Sequence, residues 1–199
     1  MVVDGPSVRE VKRMQTRERL LGAAMAEFKR AGIAEADVGA IVAAAGVAHG
    51  TFFFHFPTKE HVLFEVENRE EDRIAAQLNR FANRHRDLGA ILAETVRLVL
   101  ALEQRLGQVL FRDLLALHFS QSRPPVDESA NHAVIVLIAR EIAAAQERGE
   151  VSAQVTPMNS AVFFLLGLYA LLTTMHDWAN RDGVLADFVT RTLDSVRVR

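Results

Sequence analysis

The chain has 199 residues, of which half are hydrophobic, and a formal net charge of −2. This length suits one large domain or a small domain joined to a larger one, and the charge excludes a protein that binds nucleic acid over its whole surface. The sequence contains no cysteine, which excludes disulfides and thiolate sites and agrees with a reducing cytoplasm. Residues 1–6 lack the basic and apolar parts of a signal peptide, so we expect a cytoplasmic protein.

Apolar residues recur every three or four positions, which predicts an all-α fold. Ser7 and Glu10 have the spacing of a capping box at the start of a first helix, and Gly32 is expected to end that helix. Short helices follow over about 37–45 and 48–54, separated by Gly46. This is the spacing of a helix-turn-helix. Seven basic and three acidic side chains between residues 9 and 30 favour a locally basic, DNA-binding head.

The rest of the chain predicts longer helices over about 58–84, 87–103, 106–122, 127–148, 157–179 and 183–196. Asp127 is the expected cap of the fourth of these, after the break at Pro124 and Pro125. The charge-free run from Ser160 to Met175 is shorter than the roughly 20 residues that a membrane span needs. We therefore interpret it as a helix that is buried on most sides, and expect no membrane association.

The segment 46–60 carries the strongest functional pattern. Ala48 and Gly50 are small residues at the leading end of a helix, where they would let the backbone approach DNA in the major groove. Four other side chains can donate hydrogen bonds to phosphates, namely His49, Thr51, His55 and Lys59. A contact that depends on a charged histidine would strengthen as the pH falls towards about 6.5.

The same segment contains four phenylalanines, and they cannot all point in one direction from a helix. Phe52 and Phe56 are four residues apart and are expected in the core. At least one of Phe53 and Phe54 is then exposed, and an exposed large aromatic side chain usually has a partner.

Residues 16–66 resemble the N-terminal domain of the TetR (tetracycline-repressor-like) family of bacterial transcription regulators. The resemblance rests on the combined order and spacing of Thr16–Ala24, Phe28–Gly32, Val38–Val42 with Ala45–Val47, and Gly50–Glu60. It implies a DNA-binding domain over residues 1–57 and a helical effector-binding and dimerisation domain over 58–199. The DNA-binding residues expected from the pattern and the resemblance are Arg17, Ala48, His49, Gly50, Thr51, Phe53, Phe54, His55 and Lys59.

The resemblance further implies a homodimer that forms through about residues 157–196. Such a dimer would place two recognition helices in successive major grooves of a near-palindromic operator, roughly 34–36 Å apart. A small effector in the body would tilt the fourth helix, change the distance between the heads and release the DNA. The protein would then be a transcriptional repressor.

An effector site in the body is the second expectation from the resemblance. Ligand pockets are mostly apolar with a few polar groups, which suggests a small apolar or aromatic effector. His118 and Tyr169 are favoured because a buried polar tip needs a partner. The full candidate set is Leu98, Leu102, Phe111, Leu115, His118, Phe119, Phe164 and Tyr169.

The sequence departs from the family pattern at four places. His49 stands where a Lys is usual. Ala36 stands where a Thr or Ser usually caps the second helix, so Asp37 is expected to take over. Ala48 replaces a capping Ser, a loss of about 1 kcal/mol. Phe53 and Phe54 replace two tyrosines, so their hydroxyl groups are missing.

Two alternatives remain at this level. One is a small-molecule-binding or protein-interaction module of the same fold with weakened DNA binding. The other is an all-helical enzyme, but His61 and Glu65 have no evident third metal ligand, and neither a catalytic set nor a phosphate-binding loop is found. We therefore expect a non-enzymatic protein without a cofactor or a metal site.

Overall fold

The structure, a computed structural model, describes residues 7–120, 132–175 and 178–198. Over these residues the chain forms helices and no strand apart from one isolated bridge, so the predicted all-α fold is confirmed. The helices are α1 (Val8–Glu35), α2 (Val38–Ala45), α3 (His49–His55), α4 (Lys59–Ala82), α5 (Leu88–Leu106), α6 (Gln108–His118), α7 (Ala133–Glu147), α8 (Pro157–Thr174) and α9 (Arg181–Val196). The proline break and the Asp127 cap lie outside the described residues, as do residues 1–6.

The described residues fall into two compact units. Unit 1 takes in those of Met1–Val66 and Leu106–Pro124, and unit 2 takes in those of Glu67–Arg105 and Pro125–Arg199. The domain boundary expected at residue 57 lies inside unit 1, to which α6 also belongs.

The first helix begins with the predicted capping box. Ser7 Oγ accepts a hydrogen bond from the Glu10 amide at 3.3 Å, and Glu10 Oε2 accepts one from the Ser7 amide at 2.7 Å. The helical geometry breaks at Gly32, where φ is 76° and ψ is 165°, and helical residues continue to Glu35. A glycine suits this position because the left-handed region is costly for other residues. The regular helix therefore breaks at Gly32, as predicted, and a short helical segment continues to Glu35.

The break at Gly32 changes where the next amide group finds its partner. The Ile33 amide donates to Asp113 Oδ2 on α6 at 2.7 Å, across 80 residues of sequence. The ideal Cβ position at Gly32 lies 3.3 Å from that carboxylate oxygen and 3.3 Å from Val109 Cγ1. The end of α1 and the middle of α6 are therefore closely packed.

Helices α2 and α3 form the helix-turn-helix within unit 1. Asp37 caps α2 by accepting from the Gly39 amide at 2.7 Å, so the expected replacement of the usual cap is confirmed. Gly46 ends α2 in the left-handed conformation, with φ 64°. Ile41 and Phe52 are fully buried with Phe28, which fixes the inner faces of all three helices.

Unit 2 contains the part of α4 after Val66 together with α5, α7, α8 and α9, and hydrogen bonds hold the turn between α7 and α8 in place. Gln146 Nε2 donates to the carbonyls of Ser152 and Val155, at 2.7 and 2.8 Å. Val151 forms the isolated antiparallel bridge with Arg197, just after α9. Arg181, at the start of α9, pairs with Glu103 of α5 at 2.7 Å.

Helix α8 has both a buried and an exposed apolar face. Phe164 stacks on Phe188 of α9 with ring centroids 5.5 Å apart, and Gly167 lies against the Phe188 ring. Phe163 is 71% exposed and Leu166 is 41% exposed. Of the single helices described, α8 is long and apolar enough to cross a membrane by length and composition alone, while α2 and α3 meet that test only as a pair bent by 96°.

Candidate nucleic-acid interface

Helix α3 has two faces of different character. Phe52 and Phe56 are 0% and 1% exposed, so their predicted place in the core is confirmed. The opposite face is exposed and consists of Ala48, His49, Gly50, Phe53 and Phe54. Nothing lies within 4 Å of the ideal Cβ position at Gly50, so the helix backbone is open at this point. This face has the small leading residues that a close approach to DNA requires.

Phe53 and Phe54 are both on the exposed face. They are 47% and 69% exposed, which confirms that at least one of them faces solvent. The Phe53 ring lies 5.5 Å from the His49 ring, and the guanidinium carbon of Arg13 lies 5.5 Å from the Phe54 ring centre. No local pattern in the sequence distinguishes Arg13 from the other cations of α1, although its spacing of four residues from Arg17 places both on one side of that helix.

The start of α3 has no side-chain cap. Ala48 occupies the N-cap position with extended geometry, at φ −71° and ψ 150°, and its side chain makes no capping hydrogen bond. The Thr51 amide donates instead to the Ala48 carbonyl at 2.9 Å. The missing cap that the sequence predicts is therefore confirmed. Thr51 itself is half-buried.

His55 lies on the inner side of α3. The residue is 9% exposed, and burial, followed by the charges of Arg17 and Arg13, lowers the pKa of its imidazole below the ordinary 6.5. His55 is therefore neutral at pH 7 and above. The predicted pH dependence of a His55–phosphate contact would therefore appear at a lower pH than the sequence suggests.

Two of the expected phosphate ligands bind groups of unit 1 in this structure. Lys59 Nζ donates to the carbonyls of Ala34 and Ala36, at 2.9 and 3.2 Å. Arg17 donates to the His55 carbonyl at 2.6 Å and to Glu65 Oε2 at 3.0 Å. Lys59 thus joins α4 to the α1–α2 link, and Arg17 joins α1 to the end of α3. Their contacts with phosphates stay predictions.

The effector candidates are divided between the two units. Leu98, Leu102, Phe164 and Tyr169 belong to unit 2, and Phe111, Leu115, His118 and Phe119 to unit 1. The five Leu and Phe residues other than Phe119 are at most 5% exposed, whereas Phe119 is 51% exposed. Most of the set is therefore core within its own unit, and an effector contact stays a prediction for all eight.

An open cleft of about 680 Å³ lies in unit 2, away from these candidates. The residues that line it include Arg86, Arg148 and Arg197 together with Leu88 and Val151. Arg148 is engaged with Glu150 at 2.7 Å and donates to the Arg86 carbonyl at 2.8 Å. One of the cleft's three arginines is therefore already paired with an acidic residue of the same cleft.

The comparisons with known proteins agree with this geometry. Residues 20–66 match the family model of bacterial regulatory proteins of the tetR family. No curated protein matches the chain. Among solved structures, Thermus thermophilus FadR, a TetR-family transcriptional repressor in complex with lauroyl-CoA, is 23% identical over 89% of this chain and 91% of its own, with a TM-score of 0.68.

Two further structures have the same fold. RolR, solved with the ligand resorcinol, is 19% identical over 96% of this chain and 91% of its own, with a TM-score of 0.68. A TetR-family transcriptional regulator from Pectobacterium atrosepticum is 17% identical over 95% of this chain and 97% of its own, with a TM-score of 0.67. The resemblance drawn from the sequence is therefore confirmed: residues 20–66 match the tetR family of bacterial regulatory proteins, and the chain as a whole has the fold of TetR-family regulators.

Proposed function

We propose that the protein is a cytoplasmic, homodimeric transcriptional repressor that leaves a palindromic operator when a small apolar or aromatic effector binds. The observation that carries the proposal is the exposed face of α3, opposite the buried Phe52 and Phe56. Helix α3 has seven residues, and one side of it carries small residues and two exposed aromatic rings. Keeping those rings in water does not stabilise the fold, and exposed apolar surface of this kind usually has a partner. Contact with DNA explains both features.

The apolar surface of α8 supports the dimer. Phe163, Leu166 and Ala170 are exposed at helical spacing on one face of that helix. A second copy of the chain, applying the same face about a two-fold axis, would bury them on both subunits. The two recognition helices of such a dimer would read two half-sites of one operator.

The ligand classes of the relatives support a small-molecule effector. Lauroyl-CoA and resorcinol are the ligands named for two proteins of the same fold, and both have an apolar or aromatic part. An effector releases DNA only if it binds the DNA-free conformation more tightly, because equal affinity for both conformations shifts nothing. The two compounds are therefore useful first probes rather than assigned ligands.

The exposed face of α3 is tested with a matched pair of glycine variants. Gly50→Asp places a negative charge on that face, and Gly22→Asp places one on the exposed side of α1. Neither glycine has any atom within 4 Å of its ideal Cβ position, so both variants are expected to fold. A duplex selected by the wild-type protein from a random pool, labelled with a fluorophore, gives the affinity by anisotropy.

We expect Gly50→Asp to abolish binding and Gly22→Asp to retain most of it. Equal binding by Gly50→Asp and the wild type would show that α3 is not the recognition surface. A wild-type protein that selects no duplex would favour the alternative of a ligand-binding or interaction module. Release of the duplex by lauroyl-CoA or resorcinol, with a rise in the melting temperature of the free protein, would support the effector part.

A further inference from the structure

Two arginines on α1 each lie over a phenylalanine ring at the end of the recognition helix. Arg13 and Arg17 are one helical turn apart and therefore project from the same side of α1. The guanidinium carbon of Arg13 is 5.5 Å from the centre of the Phe54 ring, and that of Arg17 is 4.2 Å from the Phe56 ring. The two pairs look alike but differ in exposure, because Phe54 is 69% exposed and Phe56 is 1% exposed.

Arg17 uses its donors inside unit 1. One terminal nitrogen donates to the His55 carbonyl at 2.6 Å, and the other donates to the Glu65 carboxylate at 3.0 Å. The last carbonyls of a helix have no partner within it, so the first bond satisfies the end of α3. The second bond ties α1 to α4. With its guanidinium over the Phe56 ring as well, Arg17 joins three helices around the end of α3.

Arg13 has no comparable partners. It is exposed, and among the residues that the structure describes it forms neither a salt bridge nor a hydrogen bond. Its contact with the Phe54 ring restricts the flexible side chain without using an N–H group, because a guanidinium can lie against an aromatic ring while its edge donates outward. The result is a cation with free donors, held beside the exposed face of α3.

We infer that Arg13, held by Phe54, contacts a DNA phosphate, and that Arg17 positions α3 without contacting phosphate. The inference rests on the proposed function and assigns different roles to two neighbouring arginines. The partner of Arg13 is a phosphate rather than a base because Arg13 lies on the first helix, not on the helix that enters the groove. The planar fork of a guanidinium fits two oxygens of one phosphate.

The two roles predict different dependences on salt. Each phosphate contact releases bound counterions, so its loss lowers the slope of log affinity against log salt concentration by about one unit. A positioning residue affects affinity through the orientation of α3 and leaves that slope unchanged. Arg13 and Arg17 thus serve as controls for one another, since both variants remove one positive charge from the same helix.

The experiment measures the affinity of the wild type and five variants for the duplex selected by the wild type, from about 50 to 300 mM KCl. Arg13→Ala should lower the salt slope by about one unit, and Phe54→Leu should lower it in the same direction. Arg17→Ala should weaken binding at least tenfold with no change in slope. Arg17→Lys keeps the charge but cannot reproduce the two bonds and the ring contact, so it should weaken binding as well.

Lys29→Ala provides a further control, because Lys29 is an exposed cation at the other end of α1. It should leave both affinity and slope close to the wild type. Circular dichroism and melting curves establish whether each variant is folded. If Arg17→Ala is not folded, the positioning role is tested with Arg17→Lys alone.

Three outcomes would overturn the inference. If Arg13→Ala leaves the salt dependence of the affinity unchanged, Arg13 makes no phosphate contact. If Arg17→Ala lowers the salt slope by one unit, Arg17 makes that contact instead. If a folded Arg17→Lys variant binds the duplex as tightly as the wild type, Arg17 does not position α3. A wild type without salt-dependent binding to any duplex would instead overturn the proposed function, and the inference with it, so the two failures are distinguishable.

Discussion

His55 shows how burial changes the behaviour of a residue in this helix-turn-helix. The sequence suggests a phosphate donor, but the imidazole is buried on the inner side of α3, and this burial, with the charges of Arg17 and Arg13, lowers its pKa. While the His55 ring is neutral, it is not repelled by the two arginines. Protonation would introduce a third positive charge at this point.

This environment predicts a loss of stability in mild acid. The pKa of His55 is lower in the folded protein than the 6.5 of the unfolded chain, so the unfolded chain binds more protons as the pH falls below 6.5. The melting temperature should therefore fall from pH 7 to pH 5.5, and less steeply in His55→Gln. The exposed His49→Gln variant is the control, and parallel curves for all three proteins would contradict the prediction.

At the level of the element, α3 is short and lacks a side-chain cap. Ala48 already has the extended geometry of an N-cap residue, so a hydroxyl group can be added there without moving the backbone. We expect Ala48→Ser to raise the free energy of unfolding by about 1 kcal/mol, because the serine oxygen would accept one of the free amides of the first turn. Urea denaturation measures the change.

The control for this variant is Ala44→Ser, which places the same residue at an exposed position inside α2. A serine in a helix interior is less favourable than alanine by about half a kcal/mol, so this variant should be slightly destabilised. Equal effects of the two substitutions would show that capping is not the cause.

The contact between α1 and α6 gives a second prediction at this scale. Asp113→Ala removes the acceptor of the Ile33 amide and should lower the free energy of unfolding by about 1–2 kcal/mol. Asp113→Asn retains a carbonyl oxygen at the same place and should lower it by less. Urea curves of the two variants separate the hydrogen bond from the packing of the side chain. A loss as large for Asn as for Ala would contradict the assignment.

The sequence predicts the helices of this protein better than the partners of its charged side chains. Periodicity and caps define α2 and α3 to within one residue, because Asp37, Gly46 and the buried Phe52 act locally. Arg17 and Lys59 are different. A cation near a DNA-binding helix predicts a phosphate contact, but both side chains reach carbonyls of unit 1 that only the folded chain brings near.

The sequence also does not predict that α6 packs against α1. Its pairing with α1 depends on one carboxylate and one amide that are 80 residues apart, and no local pattern connects them. Helical spacing identifies buried residues such as Leu98 and Leu115 among the effector candidates, but it does not distinguish a core from a ligand site.

At the scale of the whole molecule, the exposed face of α8 governs the expected assembly. Phe163→Glu places a charge in the proposed two-fold interface, where the desolvation of an unpaired carboxylate is costly. We expect this variant to be monomeric by sedimentation equilibrium and to bind a two-half-site duplex at least tenfold more weakly. Val136→Glu adds the same charge to an exposed position of α7 in unit 2 and should remain dimeric. A dimeric Phe163→Glu would place the interface elsewhere.

The break in α1 has a consequence for the divergence of this protein from its relatives. A side chain at position 32 would need a costly backbone conformation and would also press on Asp113 and Val109. Once position 32 regains helical geometry, the Ile33 amide returns to the helix and an acid at position 113 has no bond to make there. The two positions should therefore change together, and orthologues that have lost Gly32 should also have lost Asp113. A sequence alignment of orthologues would then record this contact as a correlated pair 81 positions apart.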